Sequence, residues 1–484
     1  MLQNIEPKEV WKHFEALNAV PRPSKKEERV IQFMLDFGHG LGLETLKDDA
    51  GNVVIKKPAT AGFENRKTVV LQSHLDMVHQ KNEATVFDFE TEGIKMYVDE
   101  DWVKAKGTTL GADNGLGVAA IMSVLSADDI EHPAIEALFT IDEETGMTGA
   151  KNLDPNILNG EILLNLDTEE DDEIGIGCAG GIDITATRFY IEESIPENTT
   201  AFKLIVKGLQ GGHSGMDIIK GLGNANKLLT RFLLQFHNKC TMRLAGFVGG
   251  GLRNAIPREG HATFVVLNDD LVQLKSIFQE LSDAIKAEYK GLEPNMDLQL
   301  NEAEIPNSVL SSDVQDMIIK ALSTAHNGVY RMSPDIKGLV ETSNNIAQVS
   351  IESGKIEILC LTRSSVESGK WDLAHNIESA FDLAGCKVQF SGDYPGWTPN
   401  PDSGILKVVD ELYQKNFKEK ANIAACHAGL ECGILGSHYP EMDMVSFGPT
   451  ILGAHSPDER ASISSTRKFW RFLKDVLKNI PEKN

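Results

Sequence analysis

The chain has 484 residues, more than one hydrophobic core usually supports, so two or more domains are expected. Lys plus Arg number 47 against 71 Asp plus Glu, a formal net charge of −24 that no basic block reverses locally, which makes nucleic acid and anionic membrane surfaces poor partners. With 41% hydrophobic and 24% charged residues the composition is globular, and disordered, fibrous and small disulfide-stapled classes are excluded.

The N-terminus lacks both a basic region and an uninterrupted apolar stretch, so it does not read as a secretory signal. Apolar runs such as Gly117 to Leu125 are too short to span a bilayer, and a cytoplasmic location is expected. The cysteines Cys178, Cys240, Cys360, Cys386, Cys426 and Cys432 lack metal-ligand spacing and read as reduced, mostly buried thiols without assigned function.

In chain order, Ser24-Lys-Lys-Glu27 ahead of Val30, Ile31, Phe33 and Met34 reads as a capping box opening an amphipathic helix, which the glycines beyond Phe37 end. Thr68 to Ser73, Ile135 to Ile141 and Glu161 to Leu166 are short, partly β-branched apolar runs, and Gly115 to Ser126 between them has helical length. Strands alternating with helices predict an α/β domain built on a mostly parallel sheet.

From about Gly181 the pattern changes. Ile182 to Ile191, Phe202 to Val206, His261 to Leu267 and Ile356 to Thr362 read as strands, alternating with helices over Asn224 to Phe236, Asp270 to Lys290 and Ser312 to Thr324. This α+β pattern runs to the proline- and glycine-rich stretch around Gly392 to Pro401, which reads as a hinge. The expected organisation is a catalytic domain of residues 1–181 and 396–484 interrupted by an inserted lid domain of residues 182–395. The segments from Asn254 and from Asn345 share a weak internal echo, which a duplicated unit or chance explains equally.

Ligands of open parallel sheets lie beyond the carboxyl ends of the strands. There the chain places His74-Leu-Asp76, Asp142-Glu143-Glu144 and Asp167. Asp113 sits in a glycine-rich turn, at the expected N-cap of the next helix, and His455 follows far down the chain in Gly-Ala-His-Ser-Pro. Imidazoles mixed with carboxylates suit a divalent transition metal, zinc first, since hard calcium sites take oxygen only. Residues two apart share a strand face, so Asp76 can accept the second ring N–H of His74. Adjacent Glu143 and Glu144 cannot point the same way, leaving one to bind metal and the other to act as a free base. The acidic run Glu169 to Glu173 reads as a solvated loop. Gly175-Ile-Gly-Cys-Ala-Gly180 precedes a strand rather than a helix and is no dinucleotide site, and Gly212-His-Ser-Gly215 fails the nucleophile-elbow pattern at Met216.

Together, Ser73-His-Leu-Asp-Met-Val, Gly111-Ala-Asp-Asn-Gly, Asp142-Glu-Glu-Thr-Gly, Asn165-Leu-Asp-Thr-Glu and Gly453-Ala-His-Ser resemble the metal-site motifs of the di-zinc aminoacylase and carboxypeptidase-G-type hydrolases. Within that group the chain looks like the aminoacyl-histidine dipeptidases, also called peptidase D or Xaa-His dipeptidase, relatives of the carnosinases. The likeness covers essentially the whole chain and departs from the pattern at no ligand position.

The resemblance implies a zinc-peptidase domain with an inserted lid and two metal ions, zinc first, with manganese or cobalt as substitutes. Asp113 would bridge the ions, His74 and Asp167 would complete one site, and Glu144 and His455 the other. Glu143 would be the general base, Asp76 would orient His74, and His213 would steady the oxyanion. Asn254 and Arg363 would contact the substrate, Arg363 at its C-terminal carboxylate. The expected activity is hydrolysis of Xaa-His dipeptides, β-alanyl-histidine included, by a homodimer. The alternatives are an N-acyl amino acid deacylase of the same superfamily and a catalytically silent metal-dependent binding or scaffold relative.

Overall fold

Strands buried on both faces read as continuous apolar runs rather than alternating ones. Val69–His74, Ile135–Thr140 and Ile162–Asn165 are such strands, and every residue in them is buried. The computed structural model describes residues 2–483 and divides into two units. Unit one comprises Met1–Gly177, Trp397–Ala425 and Leu430–Asn484; unit two comprises Cys178–Gly396 and Cys426–Gly429. The four-residue piece Cys426–Gly429 thus belongs with the inserted unit, although it lies in sequence within the returning segment.

The main sheet of unit one has eight strands in the order Glu44–Lys47, Val53–Lys57, Ile135–Thr140, Val69–His74, Ile162–Asn165, Asp443–Ser446, Glu173–Cys178, Asn422–Cys426. Its inner four strands, Ile135–Thr140 through Asp443–Ser446, pair in parallel. The first two pairings and that of Asp443–Ser446 with Glu173–Cys178 are antiparallel, so the sheet is mixed, with a parallel centre. The short connection between Glu44–Lys47 and Val53–Lys57 explains one departure, because a loop this tight closes only an antiparallel hairpin. Asp48 pins it by accepting the N–H groups of Gly51 and Asn52, each at 2.8 Å.

The helix Ala112–Ser126 is buried from Ala112 to Leu125, as an all-round apolar sequence requires, and packs on the helix Lys8–Asn18 and the strand Val69–His74. Gly117 makes this approach possible: a Cβ there would lie 2.7 Å from the Leu166 carbonyl oxygen and closer still to Ser73 Oγ and Asn114 Oδ1.

The expected capping box does not form. The helix Glu28–Gly40 begins without a side-chain cap, because Ser24 Oγ donates instead to Asp76 Oδ2 at 2.8 Å and Glu27 accepts from the Lys25 N–H at 2.7 Å. Glycines do end this helix: Gly40 is its last residue and Gly42, just past the C-cap Leu41, turns the chain with a left-handed φ of 70°, whereas Gly38 lies inside it.

Unit two is α+β. A nine-stranded antiparallel sheet runs in the order Asp297–Glu302, Thr199–Lys207, Gly260–Leu267, Met242–Gly250, Val340–Glu352, Lys355–Ser364, Gly180–Phe189, Lys387–Tyr394, with Gly328–Met332 also paired to Val340–Glu352. The helices Ala225–Lys239, Leu271–Glu288, Ser312–Thr324 and Glu367–Asp382 bury their apolar stripes with it, around Phe202, Phe232, Phe236, Phe247, Phe264 and Phe381. The Asn254 and Asn345 segments are not repeats. Asn345 lies inside a long strand, and its Nδ2 donates to the Arg253 and Ala255 carbonyls on either side of Asn254.

Candidate metal centre

The parallel centre of the unit-one sheet aligns the carboxyl ends of neighbouring strands, and each end delivers an acid or an imidazole. His74 closes its strand, Asp142 to Glu144 follow Ile135–Thr140, and Asp167 follows Ile162–Asn165. Asp113 enters from the turn before the Ala112–Ser126 helix, and His455 from the C-terminal segment with a left-handed φ of 63°.

These groups meet. His74 Nε2 lies 3.2 Å from Asp113 Oδ1 and 3.5 Å from Asp167 Oδ1. His455 Nε2 lies 3.1 Å from Asp113 Oδ2 and 3.0 Å from Glu144 Oε2. Each Asp113 oxygen therefore faces a different imidazole, and each imidazole has a second carboxylate. Donor atoms placed tetrahedrally at zinc–nitrogen and zinc–oxygen bond lengths stand about 3.3 Å apart, close to these separations. Glu144 Oε1 is buried with no hydrogen-bond partner, an orphan that a cation would satisfy. Behind this set, His74 Nδ1 stands 3.3 Å from Asp76 Oδ1, and Asp76 also accepts the Glu143 N–H at 3.0 Å.

Two supports came from residues that sequence reasoning passed over. Glu459 accepts the N–H groups of Leu110 at 2.7 Å, Gly111 at 2.9 Å, Ala112 at 2.7 Å and Asp113 at 3.3 Å. The carboxylate at this helix start is therefore Glu459. Gly111 is the N-cap, and Asp113 has non-helical dihedrals, which frees its side chain for the centre. Arg22, fully buried, donates to the carbonyls of Leu75 at 2.9 Å, Asp76 at 3.0 Å and Gly111 at 2.5 Å, tying the His74 strand end to the Asp113 turn.

A buried polar row crosses the sheet, with Gln72, Thr140 and Asn165 two residues before His74, Asp142 and Asp167. Glu431 Oε2 accepts from Gln72 Nε2 at 2.7 Å and Thr140 Oγ1 at 2.6 Å, while Asn165 Nδ2 donates to Gln72 Oε1 at 2.5 Å and Ser446 Oγ to Asn165 Oδ1 at 2.5 Å. No local pattern marks these residues, since each finds its partner on another strand or helix.

Burial opposes charge on these groups, and the outcome differs by residue. Burial pushes Asp167 up to about 6 and, with the Asp167, Glu431 and Glu144 charges outweighing His74, raises Glu143 well above the usual carboxyl range. For Asp113 burial is overcome by both imidazoles, which lower its carboxyl. Hydrogen bonds to Asp113 and Glu144 raise His455 to about 11. So many acids in a buried space call for compensating positive charge, which suits divalent cations. Glu169 is not simply solvated as expected. It is half-buried, and burial with the Asp113 and Asp167 charges lifts it to about 8, whereas Glu170 is exposed. A further acid group, Glu27, Asp76 and Asp142, is internally occupied: Asp142 accepts Thr148 Oγ1 at 2.7 Å, and Asp76 serves Ser24 and His74.

Unit two gathers the other predicted residues. His213 pairs with Ala255 in a short antiparallel bridge, and Ser214 N–H donates to the Asn254 carbonyl at 2.7 Å, so His213 and Asn254 are held on adjoining turns. His213 Nδ1 accepts the Gly215 N–H at 3.3 Å and the Met216 N–H at 3.1 Å, which fixes the proton on Nε2. Burial and the Arg363 charge lower the His213 pKa, so the ring is neutral with an N–H to donate. His427, in the piece Cys426–Gly429, was not anticipated. It is 6% exposed, contacts Ser343 Oγ at 2.8 Å through Nε2, and burial with the Arg363 and His213 charges pushes it down to about 3.

Residues 70–479 match the family model described as peptidase family M20/M25/M40. The chain belongs to this family. It is therefore a peptide-bond hydrolase, and the family implies a two-metal site for which the groups above are the candidate ligands. The cytosol non-specific dipeptidase of Escherichia coli (strain K12) is 46% identical to this peptidase over 482 residues, covering 100% of this chain and 99% of the relative. The crystal structure of the aminoacylhistidine dipeptidase from Vibrio alginolyticus matches with a TM-score of 0.95 at 44% identity, covering 100% of this chain and 99% of that one. A tripeptidase from Staphylococcus aureus matches with a TM-score of 0.57 at 16% identity over 98% of this chain and 99% of its own, a likeness of fold. Among the described residues, no helix is long and apolar enough to cross a membrane.

Proposed function

We propose that this peptidase is a metal-dependent dipeptidase that cleaves aminoacyl-histidine dipeptides, β-alanyl-histidine included. The observation that carries the reading is the Asp113 carboxylate set between two imidazoles, His74 and His455, each completed by a second acid, with Glu143 standing apart from those contacts. The names of both full-length relatives, a cytosol non-specific dipeptidase and an aminoacylhistidine dipeptidase, support a dipeptide substrate, and the second supports histidine at its C-terminal position.

In this reading His74, Asp113 and Asp167 would hold one ion and Asp113, Glu144 and His455 the other, zinc before manganese or cobalt because nitrogen and carboxylate donors are mixed. Bound there, two divalent cations would polarise the scissile carbonyl and acidify a water. Glu143, whose carboxyl is raised well above the usual range by burial, takes the water's proton and passes it to the leaving amine. Asp76 keeps His74 in one tautomer by accepting its Nδ1–H. His213 donates its Nε2–H to the oxyanion as the carbonyl becomes tetrahedral, Asn254 contacts the substrate, and Arg363 takes the terminal carboxylate. The enzyme acts in the cytoplasm as a homodimer, which light scattering on purified protein checks.

The test is hydrolysis of alanyl-histidine against its N-acetyl form by zinc-loaded protein. The dipeptidase loses its substrate on acetylation, whereas a deacylase prefers the acetylated compound. Absence of cleavage at full metal occupancy would identify a binding relative.

A further inference from the structure

In unit two, Arg363 and Tyr394 lie on strands that are not neighbours. Between them runs Gly180–Phe189, whose Gly181 is the register partner of both. A shift in register between Ser391 and Tyr394 brings Tyr394 opposite this glycine. Arg363 Nη1 reaches across and donates to the Tyr394 hydroxyl at 2.9 Å. A Cβ on Gly181 would lie 2.6 Å from that hydroxyl oxygen and 2.7 Å from Cζ, so only glycine leaves the bridge open. The tyrosine is itself anchored, since Lys370, fully buried, donates to the Tyr394 carbonyl at 3.0 Å and pairs with Asp393 at 2.6 Å.

The bridge uses one end of the guanidinium and leaves another without an acceptor. Arg363 is 5% exposed, and its Nε is buried with no hydrogen-bond partner. Asp183, whose carboxyl feels the Arg363 charge, is paired with Arg253 Nε at 3.4 Å. The Nε and Nη2 hydrogens form one edge of the planar fork, suited to both oxygens of a carboxylate at once. A long side chain otherwise loses several rotamers when it grips a ligand, and fixing Nη1 in advance removes much of that cost.

We infer that Tyr394, with Gly181 keeping the gap, is a positioning residue that presets Arg363 as a bidentate fork for the terminal carboxylate of the substrate. This rests on the role given to Arg363 above and adds the device that makes a free carboxylate a requirement. It also gives a use to Gly181, which directly follows the motif-like run Gly175 to Gly180.

The experiment compares zinc-loaded wild type and Tyr394→Phe on alanyl-histidine and on alanyl-histidine amide. Removing the hydroxyl costs one hydrogen bond to a charged group, so the free-acid to amide ratio of kcat/KM falls about tenfold, through KM of the acid with kcat retained. In an Arg363→Gln background Tyr394→Phe has no further effect on the ratio, and Gly181→Ala reproduces the Tyr394→Phe loss. Equal loss on both substrates, or an unchanged ratio, overturns the inference while the dipeptidase reading stands. A wild-type protein that hydrolyses neither substrate overturns that reading and this inference with it.

Discussion

Glu459 lies 349 residues beyond Leu110 and holds its N–H at 2.7 Å, the first of four consecutive amides that its carboxylate gathers up to Asp113. The turn that aims Asp113 between His74 and His455 is thus shaped by an acid that faces backbone. Groups that orient metal ligands typically contribute ten- to hundredfold in affinity. Glu459→Ala is expected to weaken zinc binding by about that factor. Competition with a chelating dye measures it, and wild-type affinity in the variant would remove Glu459 from the supporting set.

Glu143 and Glu144 are adjacent but differently engaged. Glu144 reaches His455 at 3.0 Å, whereas the Glu143 carboxyl is desolvated beside Asp167 and Glu431. Glu143→Gln should retain both metals by elemental analysis and lose about 10²- to 10⁴-fold in kcat, the usual contribution of a positioned proton carrier. Metal lost together with activity would mean that the two glutamates exchange roles.

The strand ends were legible because burial on both faces turns a strand into an uninterrupted apolar run, so the acid or imidazole that follows stands out. Thr68 to Ser73 and Ile135 to Ile141 were readable for that reason, and so were the groups after them. Glu459, Arg22 and Glu431 were not, because their partners lie tens to hundreds of residues away and no local period records them. The Ser24 capping box failed for the same cause: Asp76, 52 residues distant, competes for the serine hydroxyl. Asp113 lies at the start of the helix, where the glycine-rich turn puts it, but its side chain caps no amide because Glu459 holds those N–H groups. In the sheet, the alternation of helix and strand pointed to parallel pairing but could not reveal that the outer strands pair antiparallel, one as a hairpin and the others with strands distant in sequence.

His427 supplies a pH dependence. Burial, with Arg363 and His213, lowers its pKa from 6.5 to about 3, so between those values the unfolded chain binds a proton that the folded chain refuses. Stability from this group is therefore intact above pH 6.5 and lost as pH falls below it, by about 1.4 kcal/mol for each pH unit. Urea unfolding at pH 7 and pH 5.5 should show this slope in wild type and a shallower one in His427→Asn, whose side chain does not titrate. Parallel slopes would show that the imidazole is solvated or protonated in the folded state.

Glu431 accepts from both Gln72 and Thr140, which lie two residues before His74 and Asp142, so its carboxyl links two strands directly beneath the centre. Glu431→Gln keeps an acceptor at this place, whereas Glu431→Ala leaves the buried Thr140 hydroxyl facing a void and Gln72 Nε2 with Thr140 Oγ1, at 3.1 Å, as its remaining acceptor. Each unsatisfied buried donor costs about 1–3 kcal/mol, so the alanine variant should unfold at lower urea and the glutamine variant close to wild type. If alanine proves as stable as glutamine, the polar row is hydrated, and the strand ends that carry the candidate metal ligands are held by the parallel ladder alone.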